Sequence, residues 1–571
     1  MKRVIRTFHV YESVLVLILL SFFAIKPLLA QGFFPMHDDT QVARVYEMTK
    51  SLKDGMFPVR WVPDLGYGYG YPIFNFYAPL SYYIGSLFSL IGFDSLTALK
   101  IMMGIGIVFS GISMYFLARE FWGEVGGVLS GMLYVYAPYH ALDIYVRGDV
   151  AEFWAYAFIP LVFYAFVKLY KTQELRYVAI GSITYASIIL SHNLTGLMVT
   201  LFIFVVLLFY CYFAYKRRKL FIVYSLLFTV FVGLLLSAFY WIPAILEMNY
   251  TNVLSQIGGG ANFKEHFVCL SQLWESPWGF GGSTSGCIDG ISFRIGKIHT
   301  ILAIVTFMYS LLKWKKNKYE SRALAAGFFG FLLSIFLLLQ SSQFVWEAFP
   351  FMSFFQYPWR FLIMVVFFSS FMSGYFVHEM HEIHKASKIV SYIFVGIIIS
   401  GLIINYVKLF NPQYVSSDLV TNYTNEKALQ WTVSKISDEY MPKNFRKPNN
   451  ENEVIYHKFY VEKGDAVIVN SQEKTQYAKA EIISKSESMI LIQTAYFPAW
   501  KIYIDRVNTP FKITQKGMEI KENPGKHVIE VKFEQTPLEK IANLMSLIGL
   551  FLLIIGIIRN NFFLFYEKTN G

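Results

Sequence analysis

Apolar runs of membrane-spanning length, separated by short polar breaks, fill the chain up to residue 409. They fall near 10–31, 97–117, 125–139, 151–170, 177–192, 195–214, 220–243, 298–313, 322–340, 359–377 and 389–409, with one more at 539–558. About twenty such residues in a helix cover the roughly 30 Å of bilayer hydrocarbon, so each run is predicted to be a membrane helix. A shorter apolar piece at 79–93 is read as a helix lying in the interface. From residue 410 the pattern turns polar. Between 453 and 534 it breaks into short β-prone runs: Val454-Ile455-Tyr456, Ala466-Val467-Ile468-Val469, Met489-Ile490-Leu491-Ile492 and Val528-Ile529-Glu530-Val531. With the turn signal Asn523-Pro524-Gly525 before the last run, they predict a small antiparallel sandwich. The expected fold is a polytopic α-helical membrane protein of about twelve spans with a small β-sandwich-like domain before the last helix. Its parts are a transmembrane domain over 1–409, a mainly β domain over 410–538, and a last helix with its tail over 539–571.

Composition agrees with the pattern. Hydrophobic residues make up 55% of the 571 and charged residues only 16%, against about 25% charged in a soluble domain. No soluble fold of this length would bury that much apolar surface, and disorder or a disulfide-dense secreted scaffold are excluded as well. The net charge of +11 is assigned to loops that orient the protein rather than to nucleic acid, because no basic stripe with interleaved aromatics forms a binding module.

The basic clusters set the expected sidedness. Lys2, Arg3 and Arg6 precede the first helix. Lys216-Arg217-Arg218-Lys219, then Lys313, Lys315, Lys316 and Lys318, and more weakly Lys168, Lys171 and Arg176, mark the cytoplasmic side of a plasma-membrane protein. The first helix is kept as an anchor, since Leu28-Leu29-Ala30 lacks the small residue a signal-peptide cleavage site needs. Segments 32–78, 140–150, 246–297, 341–358 and 410–538 then face outward. Cys269 and Cys287 fall on that oxidising side and are a disulfide candidate, while Cys211 sits in an apolar run.

The outward segments hold the residues with chemistry. His37-Asp38-Asp39-Thr40 puts two carboxylates directly after a helix, where they suit deprotonation of a hydroxyl, ligation of a divalent cation, or capping of a helix through Val42, Val45 and Tyr46. Arg60-Trp61 and the run from Gly66 through Tyr67 and Tyr69 to Tyr71 make an aromatic surface that suits sugar rings or the bilayer interface. Its glycine spacing is not a nucleotide fingerprint. Arg147, Asp149 and Glu152 stand at the mouth of a helix and His192 ends another. Tyr357 and Arg360 begin a third, where a guanidinium and helix N–H groups suit a phosphate. His378, His381 and His384 with Glu379 and Glu382 miss the H-E-x-x-H pattern and are read as a wet cytoplasmic helix extension.

Taken in order, HDDTQVARVYEM, RWVPDLGYGYGYPIFNFYAPLSYYIGSL, RGDVAEFWAYAFIPL, LSHNLTG, FQYPWRFL, YFPAWKIYID and PGKHVIEVKFEQTPLEK resemble the GT-C glycosyltransferase superfamily. The nearer resemblance is to the 6-pyruvoyl-tetrahydropterin-synthase-related prokaryotic membrane proteins, neighbours of the YfhO-like proteins. The resemblance implies a GT-C-like enzyme that takes a sugar from a polyprenyl-phosphate carrier to a glycan, lipid or protein acceptor outside the membrane. It implies that Asp38 is the base and Asp39 its acidic neighbour, that Arg147 and Arg360 grip the carrier phosphate, and that His37, Arg60, Trp61, Tyr67, Tyr69, Asp149, Glu152, His192 and Tyr357 line the substrates. Any metal would sit on Asp38 and Asp39. Many relatives show Asp-Glu where this chain has Asp-Asp, which leaves metal and base open. A lipid or polysaccharide transporter and a non-catalytic envelope scaffold are the alternatives. The gathering of charge at one face favours an enzyme over a transporter, which needs charges within its spans.

Overall fold

A computed structural model of the chain describes residues 2–256, 261–313, 318–383, 388–417, 419–443 and 445–570. Lys315, Lys316 and His384 lie outside the described residues. The helices in chain order are α1 (Lys2–Ile25), α2 (Gln41–Lys53), α3 (Leu80–Leu90), α4 (Ser95–Val135), α5 (Val150–Thr172), α6 (Arg176–Ser191) and α7 (Asn193–Lys216). They continue as α8 (Leu220–Leu236), α9 (Ala238–Leu246), α10 (Lys297–Lys313), α11 (Lys318–Leu338), α12 (Leu362–Ile383), α13 (Lys388–Tyr406) and α14 (Pro537–Asn570), with shorter turns between.

All twelve predicted windows are helical, but their lengths differ from the expectation. Among the described residues, eight helical stretches are long and apolar enough to cross a bilayer. α8 with α9 makes a ninth if that pair, bent by 67°, is one span. The windows at 177–192 and 298–313 are the shorter helices α6, of 16 residues, and α10, of 17. The windows at 97–117 and 125–139 are the two halves of the 41-residue α4, separated as expected by a break at Gly123, where φ is 74°. A straight helix of that length would be roughly twice as long as the hydrocarbon is thick. The chain instead folds back at this glycine, so that Gly131 approaches the Gly111 backbone and Gly127 rests on Tyr115. α3, at 11 residues, is too short to cross. α4 packs against α5, α1 and α12 to form the centre of the bundle.

Nine strands follow: β1 (Phe459–Lys463), β2 (Ala466–Lys474), β3 (Tyr477–Ser484), β4 (Ser488–Ile492), β5 (Trp500–Ile504), β6 (Val507–Asn508), β7 (Lys512–Thr514), β8 (Gly517–Glu522) and β9 (Gly525–Phe533). They form two antiparallel sheets, β1-β4-β8-β7 and β2-β3-β9-β5-β6. Ala480, Ile482, Ile490, Ile492, Ile502, Met518, Ile529 and Val531 are buried in their core. The Asn523-Pro524-Gly525 turn carries the chain from β8 in one sheet to β9 in the other. Val454-Ile455-Tyr456, expected as a strand, is irregular. It belongs to a strap over 410–456 that lies across the first loop: Ser416 bridges Phe33, and the Ile455 N–H donates to the Tyr67 carbonyl.

Candidate functional site, a buried charged centre between the first two loops

Loop and helix ends build the site. His37 N–H and Asp38 N–H donate to the carbonyls of Val146 and Arg147, at 3.1 and 3.0 Å, so the first loop lies along the turn after α4. That turn is one π-helical coil, Asp143–Arg147, ended by Gly148 at φ 65°. A Cβ on Gly148 would sit 2.1 Å from Met36 Sδ, so only glycine permits this approach. Gln41 locks the pair, donating to the Gly148 carbonyl (2.8 Å) and accepting from the Tyr82 hydroxyl (2.6 Å). Helix α2 begins after Thr40 with no side-chain cap, which leaves Asp38 outside the capping role.

Four carboxylates and three arginines meet here. Arg147 donates to Asp143, to the Tyr139 hydroxyl (3.2 Å), to Asp149 (2.8 Å) and to Glu152 (3.0 Å), and stacks over Trp359 at 4.7 Å. Its terminal nitrogens are thereby occupied, and Arg147 is the buried hub that holds three carboxylates in place. Asp149 caps α5 through the Glu152 N–H (3.0 Å). Glu152 also takes the Tyr139 hydroxyl, and Arg360 Nε lies 3.6 Å from it. Arg360 donates through Nη1 to the Phe355 carbonyl (3.3 Å) and Gln356 (3.1 Å) and lies over the Tyr357 ring. Its buried Nε makes no hydrogen bond. Asp38, half-buried, has no hydrogen bond to its carboxylate among the described residues.

The field around Asp38 follows from these neighbours. Burial raises its pKa above the ordinary aspartate value and the charge of Asp149 adds to that, against Arg44, Arg147 and Arg360. Burial also pushes Asp149 upward, but His192, Arg147 and Arg360 outweigh it and hold that carboxyl at about 2. One carboxylate is thus a locked anion beside a second that holds its proton more tightly. His192 caps α7 by accepting from the Thr195 N–H at Nδ1 (3.3 Å), and its pKa is lowered by burial.

Asp149, Glu152 and His192 offer ligand atoms within 4.8 Å of one another, the group among the described residues able to hold a metal ion. Two carboxylates and an imidazole suit a divalent transition metal. The expected pair, Asp38 and Asp39, is not part of that group.

Other expected residues lie elsewhere. Arg60, 1% exposed, donates to Asn75 (2.5 Å), the Phe239 carbonyl (2.8 Å) and Asn543 (2.9 Å), and faces Glu539. Trp61 packs on Trp500 and Phe533, Tyr67 donates to Asp438 (3.0 Å), and Tyr69 meets Phe445 edge-on. All four are buried between the first loop, the strap, the sheets and α14, so their expected role in lining substrate is corrected to one in packing. His37 is exposed and meets the Phe280 carbonyl at 3.0 Å, and Tyr357 stacks on Trp359 and meets His266. Cys269 and Cys287 are joined, closing the loop that carries Phe280. Residues the sequence reading missed are Arg44, Asp143 and Tyr139. Asp143 stands four residues before Arg147, which is ion-pair spacing on a helix. Arg44 lies over Tyr77 at 4.3 Å and donates to Ser437 (2.9 Å), joining α2 to the strap.

A family model described as a 6-pyruvoyl-tetrahydropterin synthase related domain, membrane protein, matches residues 74–409. An uncharacterised protein of Lactococcus lactis subsp. cremoris strain MG1363 is 22% identical over 350 residues, 59% of this chain and 55% of that protein. Among solved structures, the archaeal oligosaccharyltransferase AglB from Archaeoglobus fulgidus, in complex with an inhibitory peptide and a dolichol-phosphate, is 12% identical with a TM-score of 0.48. The match covers 79% of this chain and 61% of that one. ArnT from Cupriavidus metallidurans bound to undecaprenyl phosphate is 13% identical with a TM-score of 0.31, over 66% and 79%. The chain spans little more than half the length of the curated relative it matches.

Proposed function

This chain belongs to the 6-pyruvoyl-tetrahydropterin synthase related family of membrane proteins, and from its charged centre we propose that it is an inverting glycosyltransferase using a polyprenyl-phosphate-linked sugar. The acceptor is a glycan, lipid or protein hydroxyl outside the cytoplasm. The protein sits in the plasma membrane with its N-terminus cytoplasmic and the centre outside, an orientation supported by the basic clusters at the opposite helix ends.

One observation carries the reading: Asp38, a carboxylate uncommitted among the described residues, lies within the electrostatic reach of Arg360, whose guanidinium is only partly bonded. In the reaction the acceptor oxygen attacks the anomeric carbon and its proton passes to Asp38. The bond from that carbon to the carrier phosphate breaks, and Arg360 faces the negative charge the phosphate gains. The raised proton affinity of Asp38 suits a base, while Asp149, Glu152 and Asp143 are each ion-paired with Arg147. A cation on Asp149, Glu152 and His192 would supply further positive charge toward a phosphate. The lipid carrier favours a site at the membrane boundary, and spans α4, α5 and α12 all end at this centre.

Purified protein with undecaprenyl-phosphate sugars is the test. Asp38→Asn is expected to lower transfer about 10²–10⁴-fold with the fold intact, and Arg360→Ala to act mainly on carrier KM. Transfer at the wild-type rate by Asp38→Asn would remove the base. Unchanged carrier KM in Arg360→Ala would remove the phosphate contact.

A further inference from the structure

A cavity of about 960 Å³ opens along α1 and the first half of α4 and reaches the strap. Binding cavities for small amphiphiles run from roughly 300 to 1,000 Å³, so this one has room for a lipid. Its wall is apolar: Ile25 and Leu28 of the first helix and its following turn face Ile101, Gly104, Ile105 and Val108, which recur every three to four residues on one face of α4. Leu419 and Val420 of the strap close its upper end.

Lys100 stands at that end. Its ammonium donates to the Ala30 carbonyl at 2.7 Å and lies 6.0 Å from the Phe33 ring. It has no carboxylate within ion-pair distance among the described residues. Asp94, also at the mouth, is committed to capping α4, where its oxygens accept from the Leu96 and Thr97 N–H groups and the Thr97 hydroxyl. An ammonium part-way into an apolar wall with one neutral acceptor is costly unless an anion completes it. A lipid phosphate at the interface is such an anion.

We propose that this groove is a phospholipid site: the phosphate rests on Lys100 and an acyl chain lies along Ile101, Gly104 and Val108. The occupant is a membrane phospholipid rather than the sugar carrier in its reactive pose. Lys100 lies against Phe33, and Phe33, Phe34 and Tyr145, all buried, follow in ring-to-ring contact toward the turn that carries Arg147. The inference rests on the membrane character of the chain and not on sugar transfer. The bound lipid would join α1, α4 and the strap, which also covers the first loop at Tyr67.

Native mass spectrometry of the delipidated full-length protein tests this, with dioleoyl phosphatidylethanolamine and undecaprenyl phosphate as separate probes. Wild type and Lys100→Arg are expected to retain the phosphatidylethanolamine adduct. Lys100→Met is expected to lose it by about tenfold, the worth of one charge-assisted hydrogen bond. Gly104→Leu, which fills the groove without touching Lys100, is expected to lose it to a similar degree. Equal adducts across all four proteins would overturn the site. Preference for undecaprenyl phosphate, lost in the same variants, would overturn the assignment of its occupant.

Discussion

Asp38 and Asp149 are electrostatic neighbours shifted in opposite directions, because the charges and donors around them differ. Asp149 has Arg147 and a helix N–H on its oxygens, whereas Asp38 has burial and a neighbouring anion. A base must be ionised to act, so activity is lost as pH falls through the Asp38 pKa. That acid limb is expected above the ordinary aspartate range. Asp149→Asn removes one cause of the raised affinity and is expected to move the limb to lower pH, read from kcat/KM profiles. A limb that does not move would separate the profile from Asp38. At the opposite extreme of function, Arg60 is a packing residue. Arg60→Leu leaves Glu539 and Asn75 buried without their cation partner, and a stability loss of about 3–5 kcal/mol is expected in a thermal melt. A wild-type Tm would contradict the packing role.

At the level of elements, the helices were legible because apolar runs need only length, and every predicted window is a helix. What the pattern hid was where a single apolar run bends. Gly123 ends one half of α4 within the polar break, with Arg119, Glu120 and Glu124, that separates the windows at 97–117 and 125–139, whereas α8 bends into α9 within an apolar stretch. The centre was legible in part: Asp38, Asp149, Glu152, His192 and Arg360 were found because ionisable residues near hydrocarbon are costly. The Gly-Tyr run misled, because an aromatic surface reads the same whether it meets a sugar, a bilayer or the protein's own strap. Its glycines are the clearer signal. Gly68 has φ 81°, and a Cβ there would lie 2.4 Å from the Ile455 carbonyl. Gly68→Ala is expected to cost about 1–2 kcal/mol from backbone conformation alone, more with the clash. The expected readout is faster proteolysis within 410–456. Unchanged protection would show that the strap does not depend on this approach. In the same way, replacing Cys269 and Cys287 by Ser is expected to expose 270–286 to protease, since the bridge closes that loop.

For the molecule as a whole, the sheets, the strap and the first loop act as one cover over the ends of the helices. Trp61 on Trp500 fixes the sheets to the first loop, and Arg60 near Glu539 fixes that loop to the last helix. Long-range contacts of this kind leave no periodic trace in sequence, which is why the strap was read as part of the β domain. The arrangement sets a charged centre beneath that cover and at the ends of membrane-length helices, as the proposed transfer from a membrane-borne donor to a water-side acceptor would require. The most direct measurement is a mass-spectrometric inventory of polyprenyl-phosphate sugars and envelope glycans in cells carrying wild type or Asp38→Asn at equal membrane levels. The account predicts that one carrier-linked sugar accumulates in the variant while one glycan loses that sugar. An unchanged inventory, with the variant folded in the membrane, would contradict it.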